Sequence, residues 1–265
     1  MAFNALDKMI RAIIIPNKKA SYQMALDQAI AEAVKNGFAS PTLKIYTFSN
    51  PAIILGYREA ISDIDYANCL KYDCEVTMRR TGGGAAYFEQ NDVHYFLASR
   101  NEDVKFLNIA ELYRKNLKLV AAALGELGIN AELKKKDYTS IYFNGAKISG
   151  NAIAIMLNAN TYFLHGSILS NPNYLAMANL LKAPEKNFKR AIGGCAINFK
   201  AFAKKLIEKF DAELGALSKW ELFKARELLK KFYSNKNWIA SGKKKFGPCY
   251  LWQSECDGSE YEIIE

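Results

Sequence analysis

Histidine is scarce: the 265 residues hold only His94 and His165, which excludes a multi-histidine metal centre. The five cysteines, Cys69, Cys74, Cys195, Cys249 and Cys256, are odd in number and have no close Cys-x-x-Cys spacing. That excludes a disulfide scaffold and a zinc site, and points to reduced thiols in a cytoplasmic protein. No apolar run approaches the roughly 20 residues needed to cross a bilayer. Ile10 to Ile15 is broken by Arg11 and followed by Pro16-Asn17-Lys18-Lys19, so it reads as a strand and loop. It is too short for a signal peptide and has no small-residue cleavage site behind it. Asp7 and the immediate start of foldable sequence argue against a transit peptide. The chain also lacks a Walker A string, a Gly-x-Gly-x-x-Gly opening a helix, internal repeats and low-complexity linkers.

What remains is an ordinary soluble composition, 50% hydrophobic and 24% charged, in a chain long enough to bury a substantial core. The formal charge is +9, which favours an anionic partner: a nucleotide, a nucleic acid or an acidic protein. The basic residues are dispersed among helices, and no recognition helix, zinc finger or RNP-type motif accompanies them. Nucleic acid is therefore not expected.

The most informative stretch is Met78-Arg79-Arg80-Thr81-Gly82-Gly83-Gly84-Ala85-Ala86-Tyr87. Three consecutive glycines suit neither a strand nor a helix interior. They suit a turn with positive φ, or a main chain that a ligand approaches too closely for a β-carbon. N–H groups exposed there form an anion site, and the arginines can supply bidentate contacts. A hairpin turn flanked by surface charge is the alternative.

Around this stretch the pattern is α+β, with antiparallel and mixed sheets and packed helices. Strands are expected at 12–15, 43–48 and 52–55, the last two joined by a hairpin-type turn at Ser49-Asn50-Pro51. Ser21 reads as the N-cap of a helix ending at Asn36-Gly37, and a short helix is expected over 65–72. The glycine turn is expected to join antiparallel strands at 76–78 and from Ala85. A strand over 93–99 and a helix over 109–127, stopped by Gly128, follow. Short strands at 131–133 and 140–143 lead into Asn144-Gly145, a hairpin signal before the strand 146–156. A turn at Asn158-Ala159-Asn160 returns the chain over 161–169, making a second antiparallel sheet. Helices are expected at 175–181, 199–213 and 218–232. One domain over 1–242 and a tail over 243–265 are expected.

Lys147 follows the Asn-Gly turn directly, between Ala146 and Ile148. Such a lysine either snorkels to the surface or points an ammonium at a bound anion.

The chain is similar to the lipoate–protein ligase A family, in the biotin/lipoate A/B ligase superfamily. The glycine stretch resembles that family's Arg-Arg-x-Ser/Thr-Gly-Gly-Gly-Ala-Val-Tyr/Phe motif. Lys147-Ile148-Ser149-Gly150-Asn151-Ala152 resembles its lysine motif, and His165-Gly166-Ser167-Ile168-Leu169 its His-Gly-Thr strand. Met24-Ala25-Leu26-Asp27-Gln28-Ala29 and Lys230-Lys231-Phe232-Tyr233, running to Trp238, match its first helix and its end.

The resemblance implies a class II synthetase-like catalytic domain. It implies ATP-dependent activation of lipoate to lipoyl-AMP, with Mg2+, and transfer to a lysine of an E2 lipoyl domain or of glycine-cleavage H protein. It places Lys147 on the lysine that contacts acyl carbonyl and phosphate, and Arg79 on the family's second arginine. Gly82, Gly83, Gly84, Ala85, Ala86 and Tyr87 fall along the nucleotide, and Asp137 and His165 join the binding set. No protein-bound metal site, nucleic acid or membrane is implied.

Several positions depart from the family pattern. Met78 replaces its first arginine, leaving Arg79 and Arg80 as alternatives for the ligand contact. Phe88-Glu89 replaces His-Asp, His94 replaces an asparagine, and 191–198 lacks the Ser-Val-Arg-Ser-Arg string. The expected form is a short catalytic subunit with a separate accessory protein. A transferase using an acyl-thioester on cysteine is the rival reading. Its two cysteine positions are occupied here by Tyr162 and by Lys136-Asp137-Tyr138, which leaves Cys195 as the candidate thiol. A non-catalytic lipoyl-adenylate or acceptor-binding subunit is a further alternative.

Overall fold

A computed structural model describes residues 9–100, 108–156 and 160–241, and the backbone of 251–253 and 260–263. In chain order the described elements begin with β1 (Ile10–Lys18), α1 (Ala20–Lys35), β2 (Thr42–Phe48), β3 (Ala52–Leu55), α2 (Tyr66–Lys71), β4 (Glu75–Met78), β5 (Ala86–Phe88) and β6 (Val93–Arg100). They continue with α3 (Ile109–Gly125), β7 (Glu132–Leu133), β8 (Ser140–Phe143), β9 (Ala146–Met156), β10 (Thr161–Ile168), α4 (Tyr174–Leu180) and α5 (Glu185–Ala191). The last are α6 (Phe199–Lys209), β11 (Ala212–Leu214), α7 (Lys219–Leu228), α8 (Lys236–Ser241), β12 (Leu251–Gln253) and β13 (Glu260–Ile263).

One mixed sheet runs β11-β1-β2-β6-β10-β9-β13-β12, with β8 paired to β9 and β7 to β8. The α+β class follows from this sheet and its helical layers. Side chains alternate across the strands. Leu43, Ile45, Tyr95, Leu97, Ile153 and Leu164 therefore enter one core with α3 and α6. Tyr46, Phe48, Phe96, Ala154 and Phe163 enter the other, with α1 and the small sheet β4-β3-β5. Helix α1 is buried on nearly every side because it lies between that face, β4 and α7.

The main differences from the sequence reading lie in strand pairing. β2 and β3 do not form a hairpin; Ser49-Asn50-Pro51 carries the chain from the large sheet to the small one. All of Ala52–Leu55 is buried, as befits a central strand, and β3 pairs in parallel with β4 and antiparallel with β5. β4 and β5 consequently do not pair with each other, and the glycine segment passes over the end of β3. β8, β9 and β10 join the large sheet instead of forming a second one, because β10 pairs with β6 over its whole length.

Other corrections concern helix ends. Ser21 is not the cap of α1. The N-cap is Lys19, without a side-chain cap, and the Glu75 carboxylate accepts from the amides of Ala20 (2.7 Å) and Ser21 (3.3 Å). That anion suits the positive end of the helix dipole and fixes β4 to α1. The 199–213 helix stops at Lys209; Asp211 takes φ +49° and β11 follows, parallel to β1. The last long helix changes at Leu229 into a π turn ending at Tyr233. α5 has no counterpart in the sequence reading. The Asn144-Gly145 turn forms as expected, with φ +50° and +80°. Asn158-Ala159 and most of the 243–265 tail lie outside the described residues.

Candidate functional site

A cavity of about 490 Å³ lies on the α1 face of the large sheet. Its floor is set by register. Tyr46 stands opposite His94 and His94 opposite Ser167; one row over, Lys44, Phe96, His165 and Ala152 stand side by side. The glycine segment from Gly82 to Phe88 covers this floor, with Met177 from α4 and Phe188 from α5. Gly166 belongs to the opposite face, where a β-carbon would stand 2.1 Å from the Tyr95 ring.

The glycine segment is held by contacts that require its residue types. Gly83 has φ +89°, a conformation that favours glycine. Its carbonyl approaches Gly56 so closely that a β-carbon there would lie 1.7 Å from the oxygen. Arg79 lines the cavity and donates to the carbonyls of Gly82 (2.6 and 3.2 Å), Gly84 (3.0 Å) and Ile54 (3.0 Å). Its guanidinium thus shapes the loop. Arg80 turns the other way: its Nε donates to Gln28 (3.1 Å) and its guanidinium lies over Phe232 and Trp238. Tyr233 donates to the same Gln28 oxygen (2.6 Å). The carboxy-terminal aromatic motif therefore braces the stem of the loop.

A β-bulge brings Lys147 into the cavity. Ile141 pairs with Ser149 and Tyr142 with Lys147, leaving Ile148 unpaired. Strict alternation would put Lys147 and Ser149 on one face. The extra residue moves Lys147 to the cavity side, while Ile148 is buried in the α3 core. The Lys147 chain lies against Gly150, where a β-carbon would stand 3.7 Å from Nζ.

Asp137 stands beside this lysine but does not line the cavity; its neighbour Thr139 does. Burial pushes the Asp137 carboxyl up. Hydrogen bonds from Tyr142, Ser140 and Thr139 and the charge of Lys147 outweigh that and hold it at about 2. Gly82, Gly83, Gly84, Ala85, Ala86, Tyr87 and His165 all line the cavity with Arg79 and Lys147. Every expected site residue except Asp137 therefore meets there.

Beneath the floor lies a polar cluster to which the sequence reading assigned no site role. Lys44 pairs with Asp27 at 2.5 Å, donates to Gln23, and sits 3.9 Å from the Tyr46 ring centre. Burial pushes the Asp27 carboxyl up to about 6, against the opposing pull of Lys44. His165 Nε2 is 3.9 Å from Asp27, too far for a hydrogen bond. Burial, then the charges of Arg79 and Lys44, push His165 well below the ordinary histidine range and keep it neutral. The available signal was Lys44 itself, a lysine between apolar Leu43 and Ile45.

Among the described residues no cysteine lines the cavity, and no group of three or more His, Cys, Asp or Glu is placed to hold a metal ion. Cys195 is buried in the α3 core, and burial, then Asp92, push its thiol up to about 11. Tyr162 is buried against Asn116. Cys249 and Cys256 lie outside the described residues.

Residues 19–211 match the model of the lipoyl protein ligase A/B catalytic domain. An octanoyltransferase of Carboxydothermus hydrogenoformans is 26% identical over 252 residues, covering 82% of this chain and 93% of that one. Other curated relatives are named lipoate–protein ligases. A bi-partite lipoate protein ligase of Thermoplasma acidophilum, solved in a study of that ligase and its E2 lipoyl domain, superposes with TM-score 0.80. It is 21% identical and covers 91% of this chain and 99% of its own. A lipoate-protein ligase A bound with ATP gives TM-score 0.79 at 22% identity, with 89% and 99% covered.

Proposed function

Because the chain belongs to the lipoyl protein ligase A/B catalytic domain family, we propose that it is an ATP-dependent lipoate–protein ligase. The observation that carries this reading is the bulge that turns Lys147 into a cavity roofed by the Gly82–Tyr87 main chain and lined by no described cysteine. In this reading a lipoate carboxylate oxygen attacks the α-phosphorus of ATP and pyrophosphate leaves. Lys147 offsets the charge of carboxylate and α-phosphate, and the loop amides donate to the phosphate. Mg2+ would enter with the nucleotide and would supply further compensation of phosphate charge. The ε-amine of an acceptor lysine then attacks the carbonyl carbon of the mixed anhydride, and AMP departs. Asp137 stays ionised beside Lys147 and balances its charge between turnovers.

The acceptor is an acidic lipoyl domain of a 2-oxoacid dehydrogenase E2 or glycine-cleavage H protein, drawn by the +9 charge. A separate accessory subunit belongs to this reading, as in the bi-partite ligase of Thermoplasma acidophilum. A second reading, octanoyl transfer through a cysteine thioester, is favoured by the relatives named octanoyltransferase. It needs a thiolate close to the lysine, and Cys195 is buried in the other core. The test is incubation with ATP, lipoate and a lipoyl domain, measuring pyrophosphate and the mass of the domain, with octanoyl carrier protein without ATP as control. The chain alone transfers lipoyl from preformed lipoyl-adenylate more readily than it forms pyrophosphate, the accessory subunit restores the ATP-dependent step, and replacement of all five cysteines by serine leaves lipoyl transfer intact. A hydroxylamine-labile acyl-enzyme formed without ATP would establish the transferase.

A further inference from the structure

Helix α2 ends in a turn that brings two thiols together, away from the cavity. The amide of Cys74 donates to the Cys69 carbonyl (2.9 Å), and that of Asp73 to the Leu70 carbonyl (3.4 Å). Asp73 takes φ +48°, and its carboxylate accepts from the Asn50 side chain (2.9 Å). This bond pair with a left-handed residue is a Schellman motif, which packs the third-last helical side chain against the second beyond the cap. Both of those positions are cysteine here, and both are buried in the core on the α1 side. Any two small apolar side chains would fill them; two thiols in contact can also be joined.

The two sulfurs differ in character. The hydrogen bond from Cys74 holds the Cys69 thiol below its ordinary range, against burial; the same contact, then burial, push the Cys74 thiol up. Cys69 is thus the readier thiolate and Cys74 its proton donor. The Glu75 carbonyl, 3.8 Å from the Cys74 sulfur, is a second acceptor for that thiol. All four residues between the cysteines are exposed, Leu70 by 65% and Tyr72 by 44%. The pair therefore lies one residue layer below solvent, under the end of a six-residue helix, where small local openings suffice for entry. Cys195 lies in the other core, apart from both.

We propose that Cys69 and Cys74 are a modification site, a dithiol that a peroxide converts reversibly to a disulfide. The Cys69 thiolate attacks one peroxide oxygen, the O–O bond breaks, and a sulfenic acid and water form. The Cys74 sulfur then attacks the Cys69 sulfur; its proton leaves with the sulfenic hydroxyl as a second water. The two thiols lose two electrons, the peroxide gains them, and a dithiol reductant reverses the change. The proposal is independent of the ligase and transferase readings, since neither cysteine lines the cavity. Peptide mass mapping of the native full chain, after hydrogen peroxide and alkylation of the remaining thiols, tests it. The peptide holding both cysteines loses two hydrogens and both alkylation sites, dithiothreitol restores them, and Cys195 stays alkylatable. Cys69→Ser and Cys74→Ser each abolish the mass loss. The fold already holds the sulfurs together, whereas an unfolded chain must still close the loop. In glutathione redox buffers the disulfide therefore forms with an equilibrium constant at least about tenfold larger in the folded chain than in urea. Free thiols at both positions after peroxide overturn the proposal, as does a bridge from either to another cysteine. Oxidation to sulfinic acid without a bridge overturns it too, as does an equilibrium constant no larger in the folded chain. These outcomes are read on the wild-type chain and stand even if a variant fails to fold.

Discussion

The carbonyl oxygen of Gly83 occupies the space that a side chain on Gly56 would need, 1.7 Å from an ideal β-carbon. The end of β3 and the glycine loop are therefore fitted to each other, and Arg79 ties them by bonding Ile54, Gly82 and Gly84. Gly56→Ala must displace the loop, since backbone cannot yield as a flexible side chain does. Stability should fall by about 1–3 kcal/mol, and acyl transfer should fall at least about tenfold at temperatures where the variant is fully folded. Thermal unfolding and single-turnover transfer measure the two effects. Wild-type transfer in folded Gly56→Ala would show that the loop position is not needed.

Lys147 is the charged group that the bulge delivers, and its side chain makes no described hydrogen bond that the fold needs. Lys147→Ala is expected to lose on the order of 3 kcal/mol of transition-state stabilisation, about a hundredfold or more in rate. Its unfolding midpoint should stay close to wild type. Near-full transfer by this variant would remove Lys147 from the chemistry.

These two positions also show where the sequence was legible. Positive φ at Gly83 and Gly145 is a local demand, so the glycine run and the Asn-Gly turn were visible in neighbouring residues. The family motif then pointed to Lys147 and His165. The bulge at Ile148 was not visible, because it is a fact about pairing with Ile141 and Tyr142. The order β4-β3-β5 depends likewise on which segments pair with the two edges of β3. Capping of α1 by Glu75 links positions about fifty residues apart, and no local cap rule contains it. Arg79 and Arg80 are adjacent and chemically alike; only the packing of Trp238, Phe232 and Gln28 separates their roles.

Asp92 gives a pH-dependent prediction away from the floor of the cavity. Its carboxylate accepts from the amides of Glu89 (2.9 Å) and Ser170 (2.8 Å), joining the turn before β6 to the segment after β10. Burial nevertheless pushes it up to about 6, against about 3.9 in an unfolded chain. Below pH 4 both states hold the proton and the stabilisation is fully present. As pH rises through 6 the unfolded chain has already released its proton, so stability declines across this window, by on the order of 2 kcal/mol. Asp92→Asn cannot titrate. Its stability relative to wild type should rise between pH 4 and pH 7 in urea unfolding, whatever the offset at pH 4. A pH-independent difference would show that Asp92 has an ordinary carboxylate pKa in the fold.

Arg79 separates charge from shape. If its contribution were simply a positive charge near a phosphate, lysine would serve almost as well. The guanidinium instead spans three backbone carbonyls, at Ile54, Gly82 and Gly84, from fixed directions, and a single ammonium cannot reproduce that fork. Arg79→Lys should therefore lower kcat by about ten- to a hundredfold and loosen amide protection in the 82–86 segment. The unfolding midpoint should move by only a few degrees, because the loop lies at the cavity surface. Hydrogen exchange of the glycine amides beside steady-state kinetics makes the distinction. Slow exchange and wild-type kcat in Arg79→Lys would show that charge alone suffices at this position.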